Sequence, residues 1–338
     1  MSDVAVVGSS RAALRGKLGV ETQPVLARPD ARRALQLGLA AVWLLDGVLQ
    51  FQPFMYTKAF AQMLGSAADG NPAVIARPIT WDATLVGHHL VPLNTIFAVT
   101  QLLLGLGIAF RPTVRVALAA SVAWSVAVWW LGEGLGGVLN GGSDPLNGGP
   151  GAVIIYALVA VLLWPADRPG GPAPFVAARA VGAGVARALW LVFWLSQAYF
   201  VLTPDNRAPQ AVNAMIAGME GGEPGWLAAL MRGAAAVVAQ RGLATSVVFA
   251  VAFVLIAAGV YLPAAAAKAT LLLAIAVAAV TWVFVQALGG ILASGATDPN
   301  SGPLLALLAL SYWPARPAPI GAAARPAPSA EAEGSPAR

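Results

Sequence analysis

The chain has 338 residues, of which 58% are apolar and only 10% charged, and its formal net charge is +5. A water-soluble domain carries about 25% charged residues, so a disordered chain, a coiled coil and an ordinary cytosolic enzyme are set aside and lipid is the expected solvent. Cysteine is absent, which removes disulfides, thiolate metal sites, Cys-ligated clusters and Cys nucleophiles.

The N-terminal 1–33 is polar and basic, without the short apolar core and small-residue cleavage site of a signal peptide, and reads as a flexible cytoplasmic arm. A hydrocarbon layer about 30 Å thick needs roughly 20 apolar residues in a helix. Eight stretches meet or approach that length, at 34–52, 89–110, 116–139, 149–165, 188–203, 242–262, 269–293 and 302–315. The expected class is an all-α polytopic membrane protein with eight transmembrane helices. Between the first two stretches of each half lie long segments, 53–87 and 204–240, in which 54–64 and 225–239 pattern as amphipathic helices at the outer interface. The segment 166–187, rich in Pro and Gly, reads as a linker, and the Ala- and Pro-rich tail 316–338 as disordered. Alternate loops collect fifteen of the twenty Lys and Arg on one side, so both termini are expected in the cytoplasm of a plasma-membrane protein. The basic balance is then a topogenic signal and not a nucleic-acid footprint.

The two halves repeat in order. Trp43-Leu44 recurs as Trp194-Leu195, Phe97-Ala98-Val99 as Phe249-Ala250-Val251, and Asp144-Pro145 as Asp298-Pro299; Trp-Pro ends both halves, at 164–165 and 313–314. The offsets stay between about 149 and 154. Each half has an even number of spans, so the expected arrangement is two parallel, non-inverted four-helix repeats, 34–165 and 188–315.

Leu44-Leu45-Asp46-Gly47 running on through Pro53, and Leu104-Gly105-Leu106-Gly107, resemble the corresponding parts of the DoxX/DoxD-type four-helix membrane proteins, here duplicated in tandem over 34–315. The resemblance implies one four-helix bundle per half and an accessory role in quinone-linked or oxidative-stress redox chemistry, alongside membrane redox subunits. It transfers no catalytic signature.

Ionisable side chains inside a span are costly and face a bundle interior or cavity. Asp46 and Glu133 are expected roughly 10 Å below the outer boundary at a rise of 1.5 Å per residue, with Gln50 one turn from Asp46 on the same face. His88 and His89 open the second span, and Asn94 follows. The repeat partners Gln197 and Gln286 keep hydrogen-bonding groups but drop the acids, so the first half is the expected home of a proton or ligand cavity. Against this stands simple helix packing for Asp46 and Glu133, and interfacial capping for the histidines. A metal held by His88 or His89 with Asp46 and Glu133 is chemically admissible, but HxxxH or HExxH spacing is missing, and adjacent histidines cannot share one haem iron. Asp144 and Asp298 read as turn residues of the outer loops. Trp124, Trp129 and Trp130 either pack or line an apolar slot suited to a quinone ring. Three functions remain open: the redox accessory subunit, an assembly protein without chemistry, and a proton-coupled solute or metal carrier. No helix interrupted at the midplane is visible to favour the last.

Overall fold

The computed structural model describes residues 30–166 and 173–315. The expected arm up to residue 29, the linker residues 167–172 and the tail from 316 lie outside the described residues.

Among the described residues every element is helical. The first half comprises α1 (Ala31–Leu49), α2 (Lys58–Ser66), α3 (Ala73–His88), α4 (Leu90–Ala109), α5 (Val114–Leu131) and α6 (Ala152–Leu162). The second comprises α7 (Val176–Val181), α8 (Ala183–Phe200), α9 (Ala211–Met219), α10 (Gly225–Val238), α11 (Gly242–Gly259), α12 (Ala264–Phe284) and α13 (Ser301–Ser311). Four helical stretches are long and apolar enough to cross a membrane: Leu90–Ala109, Arg111–Leu131, Gly242–Gly259 and Ala264–Ala293. Only 22% to 39% of each is buried inside the protein, so most of their apolar surface points outward. Side chains such as Val116, Leu103 and Val248 stand exposed on these helices, an arrangement that water penalises and acyl chains accept.

α1 packs against α4, α5 against α6, α8 against α11 and α12 against α13, while α13 also lies on α6 and α1. One apolar core therefore runs through both halves, built round Trp43, Tyr156, Trp190, Trp194 and Tyr312. The close approach of α1 and α4 needs Gly105: a Cβ there would stand 2.6 Å from Leu44 Cγ and 2.9 Å from the Ala40 carbonyl oxygen.

Several helix ends differ from the sequence expectation. The third span stops at Leu131, not 139, because Gly134, Leu135, Gly136 and Gly137 all take positive φ and the chain turns sharply. Ala287, Leu288, Gly289 and Gly290 make the same kind of break after α12. α6 and α13 have only 11 residues each, roughly 16 Å at 1.5 Å per residue, so they start inside the bundle. The expected linker also folds: Gly182, with φ 87°, ends α7 and α8 begins at Ala183 instead of 188. The segment 204–240 contains the expected amphipathic helix as α10, the segment 53–87 has α2 at Lys58–Ser66 in place of 54–64, and two further helices, α3 and α9, complete them.

At one end of the molecule guanidinium groups meet helix C-terminal carbonyls. Arg33 bonds the carbonyls of Ile108 and Ala109, Arg32 that of Ala166, and Arg115 that of Pro165. Cations there oppose the negative ends of the helix dipoles.

Replacing Gly105 by Leu should force α1 and α4 apart. The expected loss is about 1–3 kcal/mol, the usual cost of overpacking, read as a lowered unfolding temperature of the detergent-solubilised protein.

Candidate functional site

The depth of Asp46 is set by α1, and its carboxylate is 2% exposed. Oδ2 accepts a 2.5 Å hydrogen bond from the Tyr156 hydroxyl on α6; Oδ1 has no partner. The Tyr156 ring packs on Trp43, with centroids 4.3 Å apart. Gln50, one turn along α1, is buried as well, and its Oε1 is unpartnered.

Glu133 sits at the break after α5 and works across space. α6 has no capping side chain of its own, because its N-cap is Gly151. Glu133 Oε1 accepts from the Val153 backbone N–H at 3.2 Å, while Oε2 is buried without a partner. A carboxylate at a helix N-terminus satisfies a free N–H and faces the positive end of the dipole. Trp129 Nε1 donates to the Pro150 carbonyl at 2.5 Å beside it.

Asp46, Gln50 and Glu133 line one cavity of about 190 Å³. Its apolar wall includes Trp43, Phe60, Met63, Phe97 and Trp124. Its polar lining comes from Asp46, Gln50, Asp82, Gln101, Glu133, Tyr156, Thr297 and Asp298. Of the atoms on its lining residues, Asp46 Oδ1, Gln50 Oε1, Gln101 Oε1, Glu133 Oε2 and Trp124 Nε1 are buried without a partner, and a buried polar atom without a partner costs roughly 1–3 kcal/mol.

The other expected residues fall elsewhere. Asn94 is fully buried but donates its amide to the Gln50 carbonyl at 2.7 Å, so it closes the end of α1 and does not line the cavity. His88 and His89 do not open the cavity either. α3 runs to His88 as a helix of its own, so both imidazoles stand exposed at the α3–α4 junction, with His88 Nδ1 2.8 Å from the Thr84 carbonyl. The acid-and-histidine cluster is thus corrected to an acid-and-phenol cluster. Among the described residues no group of three His, Asp or Glu is placed to hold a metal, so the His88, His89, Asp46, Glu133 metal set does not assemble.

Asp82, Gln101 and Tyr156 line the cavity without having been expected there, and Asp298 was expected only as a turn. Gln101 lies seven residues from Asn94 on the same face of α4, a spacing that could have been read. Tyr156 was hidden in the most apolar helix. Asp298 had been read as a loop turn, and it does make that turn, accepting from the Asn300 N–H at 2.6 Å and Thr297 Oγ1 at 2.8 Å. It nevertheless lines the same cavity as Asp46 and Glu133, contributed by the other half of the chain. Asp144 makes the matching turn with the Leu146 N–H at 2.9 Å. Glu133, Asp144 and Asp298 share a second, polar cavity of about 260 Å³ adjoining the first.

At the equivalent place in the second half, Gln197 lines a space of only about 10 Å³, room for about one water at most. Phe253, at the position that corresponds to Gln101 by the Phe97–Phe249 offset, helps to fill it. Gln286 is fully buried and spends its amide on the Leu146 carbonyl at 3.0 Å and Ser301 Oγ at 2.9 Å. The acids and the open space thus coincide in one half. No protein-family model, curated protein or solved structure matches the chain.

Tyr156→Phe removes the partner of a buried carboxylate and should lower stability by about 1–3 kcal/mol; the loss should shrink when Asp46 is already Leu, as a double-mutant cycle on thermal unfolding would reveal.

Proposed function

We propose that the protein is an integral plasma-membrane protein of eight spans in two parallel four-helix repeats, with both termini cytoplasmic, and that its first half binds a quinol as an accessory subunit of a membrane redox system. The carrying observation is one cavity that brings Asp46, Gln50, Gln101 and Glu133 together with an aromatic wall. A quinol ring is flat and apolar and carries two hydroxyl donors that the carboxylates accept, whereas the oxidised ring carries only acceptors and finds donors only at the Gln amides and Trp124 Nε1. The reduced form is therefore the better match.

The eight-span reading is supported by paired features in α5–α6 and α12–α13: the positive-φ breaks, the Asp turns, and Trp129 and Trp282 each donating to a carbonyl just before the next short helix. The short helices reach only part of the bilayer, and the loops before them complete the crossing while buried in protein. The basic end of the bundle is the cytoplasmic one on the excess of Lys and Arg, which puts the cavity toward the outer leaflet. The resemblance to the DoxX/DoxD type points to the same redox setting.

In this reading a quinol supplies two electrons and two protons when it is oxidised. The chain's own part is to seat the ring against Trp43 and Trp124, to accept its hydroxyl protons in hydrogen bonds at Asp46 and Glu133, and to offer a carboxylate path outward. Asp298 and Asp144 border that path through the adjoining polar cavity.

A second reading, the proton-coupled carrier, gains from one observation. Two short helices whose N-termini open inside the bundle are the interrupted elements that mark transport sites, and none had been visible in the sequence.

The test is a titration of the purified protein with a decyl-chain benzoquinol under nitrogen, followed by quenching of tryptophan fluorescence. Saturable quenching by the quinol, weaker for the quinone, and at least tenfold weaker binding in Asp46→Asn with Glu133→Gln are expected. Unchanged binding in that variant, or none in the wild type, would sink the quinol assignment, and solute flux into liposomes under a pH gradient would instead favour the carrier.

A further inference from the structure

A second apolar cavity, of about 240 Å³, opens at the opposite end of the second half, between the start of α8, the α11–α12 turn and the end of α13. Phe175, Leu262, Leu271 and Tyr312 form its walls, and Arg187 supplies the one cationic side chain among its described lining residues. The Arg187 guanidinium carbon lies 6.0 Å from the Phe175 ring centroid and 5.7 Å from that of Tyr261. Its Nε is buried without a hydrogen-bond partner. No carboxylate among the described residues pairs with it.

The first half solves the same position differently. Gln36 precedes Arg187 by the offset that relates Trp43 to Trp194. Gln36 Nε2 donates to the Leu163 carbonyl at 2.9 Å and is buried. A neutral amide bonded within the protein is thus replaced by a guanidinium that the protein itself leaves unsatisfied. Two other arginines at this end, Arg33 and Arg115, behave like Gln36 and are bonded to backbone carbonyls.

We propose that this cavity is a binding site for an acidic glycerophospholipid of the cytoplasmic leaflet, with the headgroup phosphate on Arg187 and the first part of an acyl chain in the slot. Guanidinium pairs with phosphate through two parallel N–H donors, and cation–aromatic contacts with Phe175 and Tyr261 hold the group in place without using up its donors. A basic pocket between helices on the cytoplasmic side is the setting in which such headgroups bind. The inference rests on the inward orientation proposed above for this end of the bundle, and it is independent of the quinol.

The experiment is native mass spectrometry of the full chain in detergent, titrated with phosphatidylglycerol, phosphatidylcholine or inorganic phosphate. One phosphatidylglycerol should be retained at least tenfold more tightly than phosphatidylcholine, and inorganic phosphate should neither bind nor displace it. Arg187→Gln, which copies the first half, should abolish that preference, and Arg187→Lys should keep part of it. Equal retention of both lipids by the wild type, displacement by free phosphate, or an unchanged preference in Arg187→Gln would overturn the proposal. Quinol quenching in Arg187→Gln should stay at the wild-type level, so failure of the lipid site is distinguishable from failure of the outer cavity. Alkaline carbonate extraction, which leaves integral proteins in the membrane, tests the membrane reading by itself.

Discussion

The first free N–H groups of a helix need acceptors, and α6 begins at Gly151, an N-cap with no side chain to supply one. Glu133 meets that need from the far side of a sharp turn, and much else follows from where it must stand. Its carboxylate has to lie inside the bundle, so α5 has to end early, at Leu131. The turn then requires consecutive residues at positive φ, and at Gly136 a Cβ would fall 1.6 Å from the Pro150 carbonyl oxygen. One Glu133 oxygen is used by Val153 and the other is buried without a partner, close against Gly151.

The same geometry locks the halves together. The first-half loop receives hydrogen bonds from Asn206 at Ser143 and from Gln286 at Leu146, and the second-half loop receives one from Gln52 at Ala296. Backbone polar groups deep in an apolar protein are thereby satisfied by the opposite half. Asp298 reaches the cavity on the strength of this exchange. A single four-helix unit would leave those loop carbonyls without partners and the cavity without one of its acids.

Asymmetry between equivalent positions carries the functional argument. Where the first half has Asp46 and Gln101, the second has Gln197 and Phe253, and the space shrinks from about 190 to about 10 Å³. At the other end the asymmetry reverses, with Gln36 satisfied in the first half and Arg187 open in the second. Positions related by the sequence offset thus differ in opposite senses at the two ends, with open space beside Asp46 in the first half and beside Arg187 in the second.

The apolar helices, the amphipathic segments between them and the common cavity of Asp46, Gln50 and Glu133 were legible in the sequence, because hydropathy and helical periodicity act over neighbouring residues. Asp46 and Gln50 lie one turn apart on one helix, so their common face needs no tertiary knowledge. His88 and His89 could not be placed that way: whether they enter the bundle depends on α3 being a separate helix that ends at His88. Tyr156 and Asp298 were equally out of reach, since the first meets Asp46 across 110 residues and the second enters the cavity only through loop exchange between the halves. Local composition determined which residues prefer lipid and which resist it; only the tertiary structure decided which polar atoms share a cavity, because chain breaks at positive φ and hydrogen bonds between distant loops are not periodic signals.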